Sequence, residues 1–462
     1  MSTAAARASS SLAAPEASIV ASTATIDGGS ALTTARSSAV DPAGPACAPP
    51  GELVPTAITT LHFWDDRVLG LVEGVAAEFE AAHPGVDVRF EKSRGGADAL
   101  ALLAAQPQSE RAEVVTLPDM STAAAIQLGA FEPIGACGPD PDALVTAARA
   151  TYTIGDALWA VPFTVSAPVL YYDREAFRAA GLDPEVAPDT VDELAAFARQ
   201  IVASGSREVG LVLETGPFSG GAWYAEQFAA QLGEPTFEPD NGRTGDVHHV
   251  AWDRPPVVEA LRTLQALVAD DVAEVIDAGD GTADLLRLVS TERPAAMTIH
   301  TSGSLGVVLE VMAGEPQRVG IAPLPAVDDS TTPSAIAGGS ALWVTAGQPP
   351  AEAAAALEWV EVLASPEVQG RLGAANGFVP VALGAMSTDA YVAETTAWPQ
   401  LLVAGESLLP GTSPAQLAPV YPAWEDIRYV LAGAMHRILA EGADPAATLI
   451  AAEREADALL TD

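Results

Sequence analysis

From Ile58 onward, short apolar runs rich in β-branched residues alternate with longer runs whose apolar positions recur at helical spacing. TAITTLHFW alternates and predicts a strand, and VLGLVEGVAAEFEAAHP predicts a helix stopped by Pro84. VDVRFEK is a second strand. AEVVTL is a short apolar strand that runs into Pro118-Asp119-Met120, and a helix follows through STAAAIQLGAF. Strand, helix, strand, helix is the order of a largely parallel sheet covered by helices, which places the chain in the α/β class. No internal repeat occurs at a solenoid period.

The middle of the chain predicts a proline-punctuated strand from Val165 to Tyr172, then a helix opened by Asp173 and ended by Gly181. TVDELAAFARQIVASG reads as an amphipathic helix capped by Thr190, with Glu193 three residues on. Glu234 to Arg254 is loop-rich, and PPVVEALRTLQALVADD resumes helix with prolines in its first turn. AAMTIHTSGSLGVVLEVM reads as strand, polar turn, helix. SAIAGGSALWVTAG is a glycine-bent strand, and AEAAAALEWVEVLAS begins an almost wholly helical tail.

Residues 1–57 differ in texture, being rich in Ala, Ser, Thr and Pro and poor in large apolar side chains, and they predict a disordered leader or tether. They contain no secretory apolar core. Cys47, in AGPACAPPGELVP, has a small-residue approach and a proline-rich spacer, which suits a lipid anchor as well as an ordinary cysteine in a floppy tail. With Cys137 it makes two cysteines, enough for one bridge or two free thiols.

The 462 residues carry 22 Lys+Arg against 61 Asp+Glu, a net charge of −39, and Lys92 is the single lysine. No basic run occurs, so nucleic acid and anionic lipid are excluded as partners. The longest uncharged apolar stretch, Ala157 to Tyr172, is interrupted by Pro162 and Pro168 and falls short of the roughly 20 residues of a membrane span. A length of this kind predicts at least two lobes. No dinucleotide or P-loop glycine pattern, H-E-x-x-H, C-x-x-C or G-x-S-x-G is present. His248 and His249 beside Asp240 and Asp246 read as a solvated loop before a metal site, because adjacent histidines diverge.

From about Ile58 to the C-terminus the chain resembles a family 1 extracellular solute-binding protein of an ABC importer, and within that group the glycerol-3-phosphate-binding proteins. The stretches that carry the resemblance are LHFW, VPFTVSAPVLYYDREAFRAAGLDP, AAMTIHTSGSL, IAGGSALWV, NGFVPV and DIRYVL, in that order. The resemblance implies a two-lobed periplasmic-binding-protein-like (type II) fold with three interlobe crossings, a ligand cleft and hinge closure. Lobe one is expected over 58–164 and 301–339, and lobe two over 165–300 and 340–462 with a helical C-terminal region. It further implies a monomer that hands a small-molecule ligand to permease subunits, an exported location, and neither catalysis nor cofactor nor metal.

Carried over by position, the phosphate pocket of the resembled family falls on Ser166, Thr301, Ser302, Gly339 and Arg428. The chemistry is coherent, since phosphate oxygens need hydroxyl and backbone donors plus the planar fork of an arginine. Without the resemblance, Arg428 reads as a surface partner of Glu425 or Asp426. Asp119 falls where the family places a glutamate that bonds glycerol hydroxyls, although an acid after proline also suits a helix cap. Trp223 falls near a tryptophan pair and equally suits core packing, while Trp64 suits core burial better than the cleft floor.

Two departures concern the ligand. Phe378 replaces a tyrosine whose hydroxyl would reach phosphate, and Gly95-Gly96 replace a second tyrosine, opening the glycerol end. The expectation is therefore glycerol 3-phosphate or a glycerophosphodiester such as glycerophosphocholine, whose cation would want the face of Trp223 or Tyr224. A sugar or oligosaccharide is the alternative ligand, and a secreted hydrolase the alternative of another class.

Overall fold

A computed structural model describes residues 53–134, 138–218, 220–276, 283–290, 292–311 and 316–460. Most of the expected leader, with Cys47, and also Cys137, lie outside the described residues. The main strands are β1 (Thr56–His62), β2 (Val86–Lys92), β3 (Val114–Pro118), β4 (Val161–Ser166) and β5 (Pro168–Asp173). They continue with β6 (Val209–Glu214), β7 (Ala273–Ile276), β8 (Ala295–Thr301), β9 (Val319–Pro323) and β10 (Gly338–Val344). The helices that shape the site are α1 (Asp66–Ala82), α2 (Gly96–Ala105), α3 (Val191–Ser204), α4 (Gly221–Gln231) and α5 (Pro255–Ala269). After them come α6 (Leu305–Val311), α7 (Pro350–Leu363), α8 (Pro366–Asn376), α9 (Trp424–Leu439) and α10 (Pro445–Asp457).

Two five-stranded sheets organise two lobes. The first has the order β2-β1-β3-β10-β4, with β10 antiparallel to both of its neighbours. The second has the order β7-β6-β8-β5-β9, with β5 antiparallel to β8 and β9. The helical periods read from the sequence account for the layers. Asp65 caps α1 by accepting from the backbone of Arg67 and Val68, and Val68, Val72, Val75, Ala76 and Phe79 bury one face of that helix against the first sheet. Helix α3 is capped as expected, Thr190 Oγ1 accepting from Glu193 N at 3.2 Å.

The strand expected from Val165 to Tyr172 is two strands. Ala167 alone separates β4 in the first sheet from β5 in the second, so the chain changes lobes within one residue. The expected partition of the lobes also differs at two places. Within 301–339, α6 packs beside α8 in the first lobe, but β9 pairs with β5 in the second sheet because its apolar residues complete that sheet's edge. Within 340–462, α7 and α8 belong to the first lobe: Trp359, Val360, Leu363 and Leu372 share a core with Ile58 and Leu342, and Trp359 Nε1 donates to Thr60 Oγ1 at 3.1 Å. From that stretch α9 and α10 join the core of the second sheet, together with Ala418. Thr56 and Ala57, expected in the leader, already form the start of β1.

Candidate functional site

The C-terminal ends of β3 and β4 and the start of β10 meet where the chain changes lobes. Gly338 stands opposite Ser166 and Gly339 opposite Val165. Gly339 has φ +121°, and a Cβ there would lie 2.0 Å from Thr164 O, so only glycine permits this approach. A Cβ on Gly338 would lie 3.2 Å from Trp223 Cζ2 and 3.8 Å from Asp119 Oδ2, which puts both the indole and the carboxylate beside that glycine. The Gly95-Gly96 turn covers the same end of β3. A Cβ on Gly96 would meet Ser121 Oγ at 2.1 Å and Pro118 Cδ at 2.8 Å, whereas one on Gly95 would meet nothing within 4 Å. Gly95 therefore faces open space, while Gly96 is a packing necessity.

Ser302 crosses the seam. Its N donates to Ala167 O at 2.8 Å and its Oγ accepts from Ala167 N at 3.3 Å. Thr301 Oγ1 caps the following turn by accepting from Gly303 N at 3.3 Å. Phe378 closes over that turn, its Cε1 lying 2.4 Å from where a Gly303 Cβ would be.

Arg428 projects from α9 and is buried, at 4% exposure. It is not a surface partner of Glu425 or Asp426. Its Nη2 lies 3.1 Å from Glu226 Oε2, and its Cζ sits 5.7 Å from the centre of the Trp424 ring. Glu226 Oε1 in turn accepts from Trp424 Nε1 at 3.0 Å. Neither Nε nor Nη2 of Arg428 has a hydrogen-bond partner among the described residues, the Glu226 contact being an ion pair. A buried guanidinium with an idle N–H is a donor held ready for something else, since such groups cost free energy when left unsatisfied.

The electrostatics couple these groups. Burial raises the Asp119 carboxyl to about 6, against the pull of Arg428 and with a further push from Glu226. Burial also raises the Glu226 carboxyl, while Arg428 and the Trp424 hydrogen bond oppose that rise. One cation thus serves two carboxylates, one of which titrates near neutrality.

Of the eight carried-over residues, Ser166, Gly339, Thr301 and Ser302 lie where the chain changes lobes, and Asp119 and Trp223 lie beside Gly338. Phe378 packs over the Gly303 turn, and Arg428 is coupled electrostatically to Asp119. Thr301 spends its hydroxyl on a turn cap, and what remains of it for a ligand is less than expected. Trp64 is core, stacked on His62 at 5.0 Å. Tyr224 is core as well, fully buried with its hydroxyl donating to Ile299 O at 3.1 Å, so it offers no face to a cation. His249 Nδ1 lies 2.9 Å from Asp457 Oδ2 on α10, not beside Asp240 or Asp246. Glu226 was missed by sequence reasoning. Its signal lay in GGAWYAEQF, an acid inside a helix with no polar face: residues 221 to 230 are all buried.

Three comparisons bear on this arrangement. The sn-glycerol-3-phosphate-binding periplasmic protein of Escherichia coli K12 is 28% identical over 343 residues, 70% of this chain and 75% of that protein. The cyclic alpha-maltosyl-1,6-maltose binding protein of Arthrobacter globiformis superposes with a TM-score of 0.71 at 22% identity, covering 88% of this chain and 100% of that one. A Mycobacterium tuberculosis protein solved in complex with glycerophosphocholine gives 0.70 at 17% identity, over 86% and 98%. Among the described residues no helix is long and apolar enough to cross a membrane. Residues 66–370 match the model of the bacterial extracellular solute-binding proteins, and the chain belongs to that family, whose members bind small molecules for the permease subunits of ABC importers.

Proposed function

We propose that this chain captures a glycerophosphoryl compound, glycerol 3-phosphate or a glycerophosphodiester such as glycerophosphocholine, for an ABC importer. The observation that carries the reading is the buried guanidinium of Arg428 with an unpartnered Nε, set across from the Asp119 carboxylate. One end of the ligand supplies anionic oxygens to Arg428, and hydroxyls at the other end donate to Asp119. Arg428 belongs to the second lobe and Asp119, Ser166 and Gly339 to the first, so a ligand spanning them has higher affinity for the closed form and shifts the population toward it. Open space at Gly95, one residue from the Gly96 that packs on Pro118 and Ser121, would take the larger substituent of a diester. The Escherichia coli relative, named for sn-glycerol 3-phosphate, supports the class. Trp223 is the aromatic available to a choline group, Tyr224 being occupied.

A second reading has its own observation: Glu226 already offsets the charge of Arg428, which suits a neutral sugar whose hydroxyls meet Asp119 and Trp223. Thermal-shift titration with glycerol 3-phosphate, glycerophosphocholine, inorganic phosphate, maltose and trehalose separates the two. A ligand at a thousand times its Kd stabilises by about 4 kcal/mol. The glycerophosphoryl compounds should raise the midpoint in the wild type and not in Arg428→Met; a shift with the sugars alone would discard the phosphate reading. Export and anchoring through Cys47 belong to the same proposal, and radiolabelled palmitate incorporation that survives Cys47→Ala would rule out that anchor.

A further inference from the structure

Glu226 is an odd tenant of its helix. Every residue from 221 to 230 is buried, the acid is 3% exposed, and both of its oxygens are engaged, one by Trp424 Nε1 and one by Arg428 Nη2. A buried ion pair is no more stabilising than an apolar pair of similar volume, so stability does not explain an acid here. Its effect on a ligand is direct, because the cation that would receive the ligand's anionic oxygens is the cation it neutralises.

We infer that Glu226 sets the ligand charge the cleft accepts, selecting a singly charged phosphodiester over a doubly charged phosphomonoester. The inference rests on the glycerophosphoryl reading and refines it. Arg428 contributes one positive charge, Glu226 one negative, and Asp119 a second negative when ionised. A diester adds one charge to that set. A monoester adds nearly two at neutral pH. The second charge of the monoester meets Glu226 across the guanidinium that Glu226 already neutralises. At the effective dielectric of a partly buried site, one additional like charge at that kind of separation lowers affinity on the order of tenfold to a hundredfold. Local repulsion of the wrong ligand is a common route to specificity.

The test compares glycerophosphoglycerol with glycerol 3-phosphate and inorganic phosphate by calorimetry at pH 7.5. The diester carries no choline, so charge is isolated from cation recognition. Wild type should prefer the diester by roughly tenfold or more, and Glu226→Gln should improve glycerol 3-phosphate by at least tenfold relative to the diester. An equal change for both ligands would make Glu226 merely structural and overturn the inference. If wild type binds no phosphoryl compound, it is the underlying reading that fails.

Should Glu226→Gln not fold, the wild type alone decides. Between pH 5 and 7.5 the monoester gains its second charge near pH 6 and the diester does not. Ionisation of Asp119 weakens both ligands and the dianion more, adding to the effect of Glu226, so the ratio of their dissociation constants should rise by about tenfold or more over that range. A flat ratio would overturn the inference.

Discussion

Arg428→Met removes one member of a buried pair and leaves the other exposed to the full cost of its burial. Glu226 keeps the Trp424 hydrogen bond but loses the cation 3.1 Å away. Losing one partner of such a pair costs about 3–5 kcal/mol, whereas losing both is close to neutral. Arg428→Met should therefore destabilise the ligand-free chain by about 3 kcal/mol at pH 7.5. The double variant Arg428→Met/Glu226→Gln, which keeps an acceptor for Trp424, should return to within about 1 kcal/mol of wild type. Urea unfolding followed by tryptophan fluorescence measures all four corners of the cycle. The sign with pH is fixed too. Glu226 has a raised carboxyl in the folded state, so its contribution is present at low pH and is lost as pH rises through the folded value. The Arg428→Met penalty should accordingly shrink toward pH 4. A coupling under about 1 kcal/mol between the two positions, or a penalty that grows on acidification, would refute the pairing argument.

Other outcomes follow from the same geometry. Gly339→Ala should lower stability by about 3 kcal/mol, from a positive φ and a Cβ 2.0 Å from Thr164 O, while Gly95→Ala, strained in φ but facing open space, should cost only about 1 kcal/mol; thermal midpoints compare them. The Asp119 carboxyl should titrate near pH 6 by carbon-detected NMR, with Arg428→Met raising and Glu226→Gln lowering the midpoint. Because that carboxyl is raised on folding, its contribution to stability is present below pH 4 and lost as pH climbs through about 6. Asp173, capping the helix that follows β5 and held by Arg318 and Arg207, is lowered despite its burial. Asp173→Ala should cost about 3–5 kcal/mol, and the wild-type contribution should vanish as pH falls below about 4.

The periodicity of the chain exposed most elements, because most helices bury one face, α4 excepted, and the strands are apolar or alternating. It did not expose which lobe an element joins. Nothing in VGIAP distinguishes an edge strand of the second sheet from one of the first, and α7 reaches the first lobe through Trp359, whose partner Thr60 is 299 positions away in sequence. The single-residue passage at Ala167 was hidden for a related reason: β4 and β5 are both fully buried, so the apolar run continues unbroken across a change of sheet. At the site, Ser166, Gly339, Ser302 and Arg428 were legible through resemblance to a family. Glu226 was not, because beside Gln227 in a helix otherwise mostly apolar an acid reads as part of a polar face that the helix lacks.

The overall charge of −39 makes association kinetics a probe of the cleft. A field of that sign slows the approach of any anion, and it reaches about 30 Å at 0.01 M salt but only about 8 Å at 0.15 M. Near the cleft the Arg428 cation is offset by Glu226 and Asp119, which weakens local attraction against the global repulsion. An anionic diester such as glycerophosphoglycerol should therefore associate faster as salt rises from 10 to 150 mM by roughly severalfold, with little change in its dissociation rate, while a neutral sugar should be indifferent. Stopped-flow tryptophan fluorescence reads both rates, Trp223 and Trp424 being at the site. If the diester associates more slowly with added salt, the cleft presents net positive charge to incoming ligand. Glu226 then does not neutralise Arg428, and the charge balance drawn from their 3.1 Å contact is wrong.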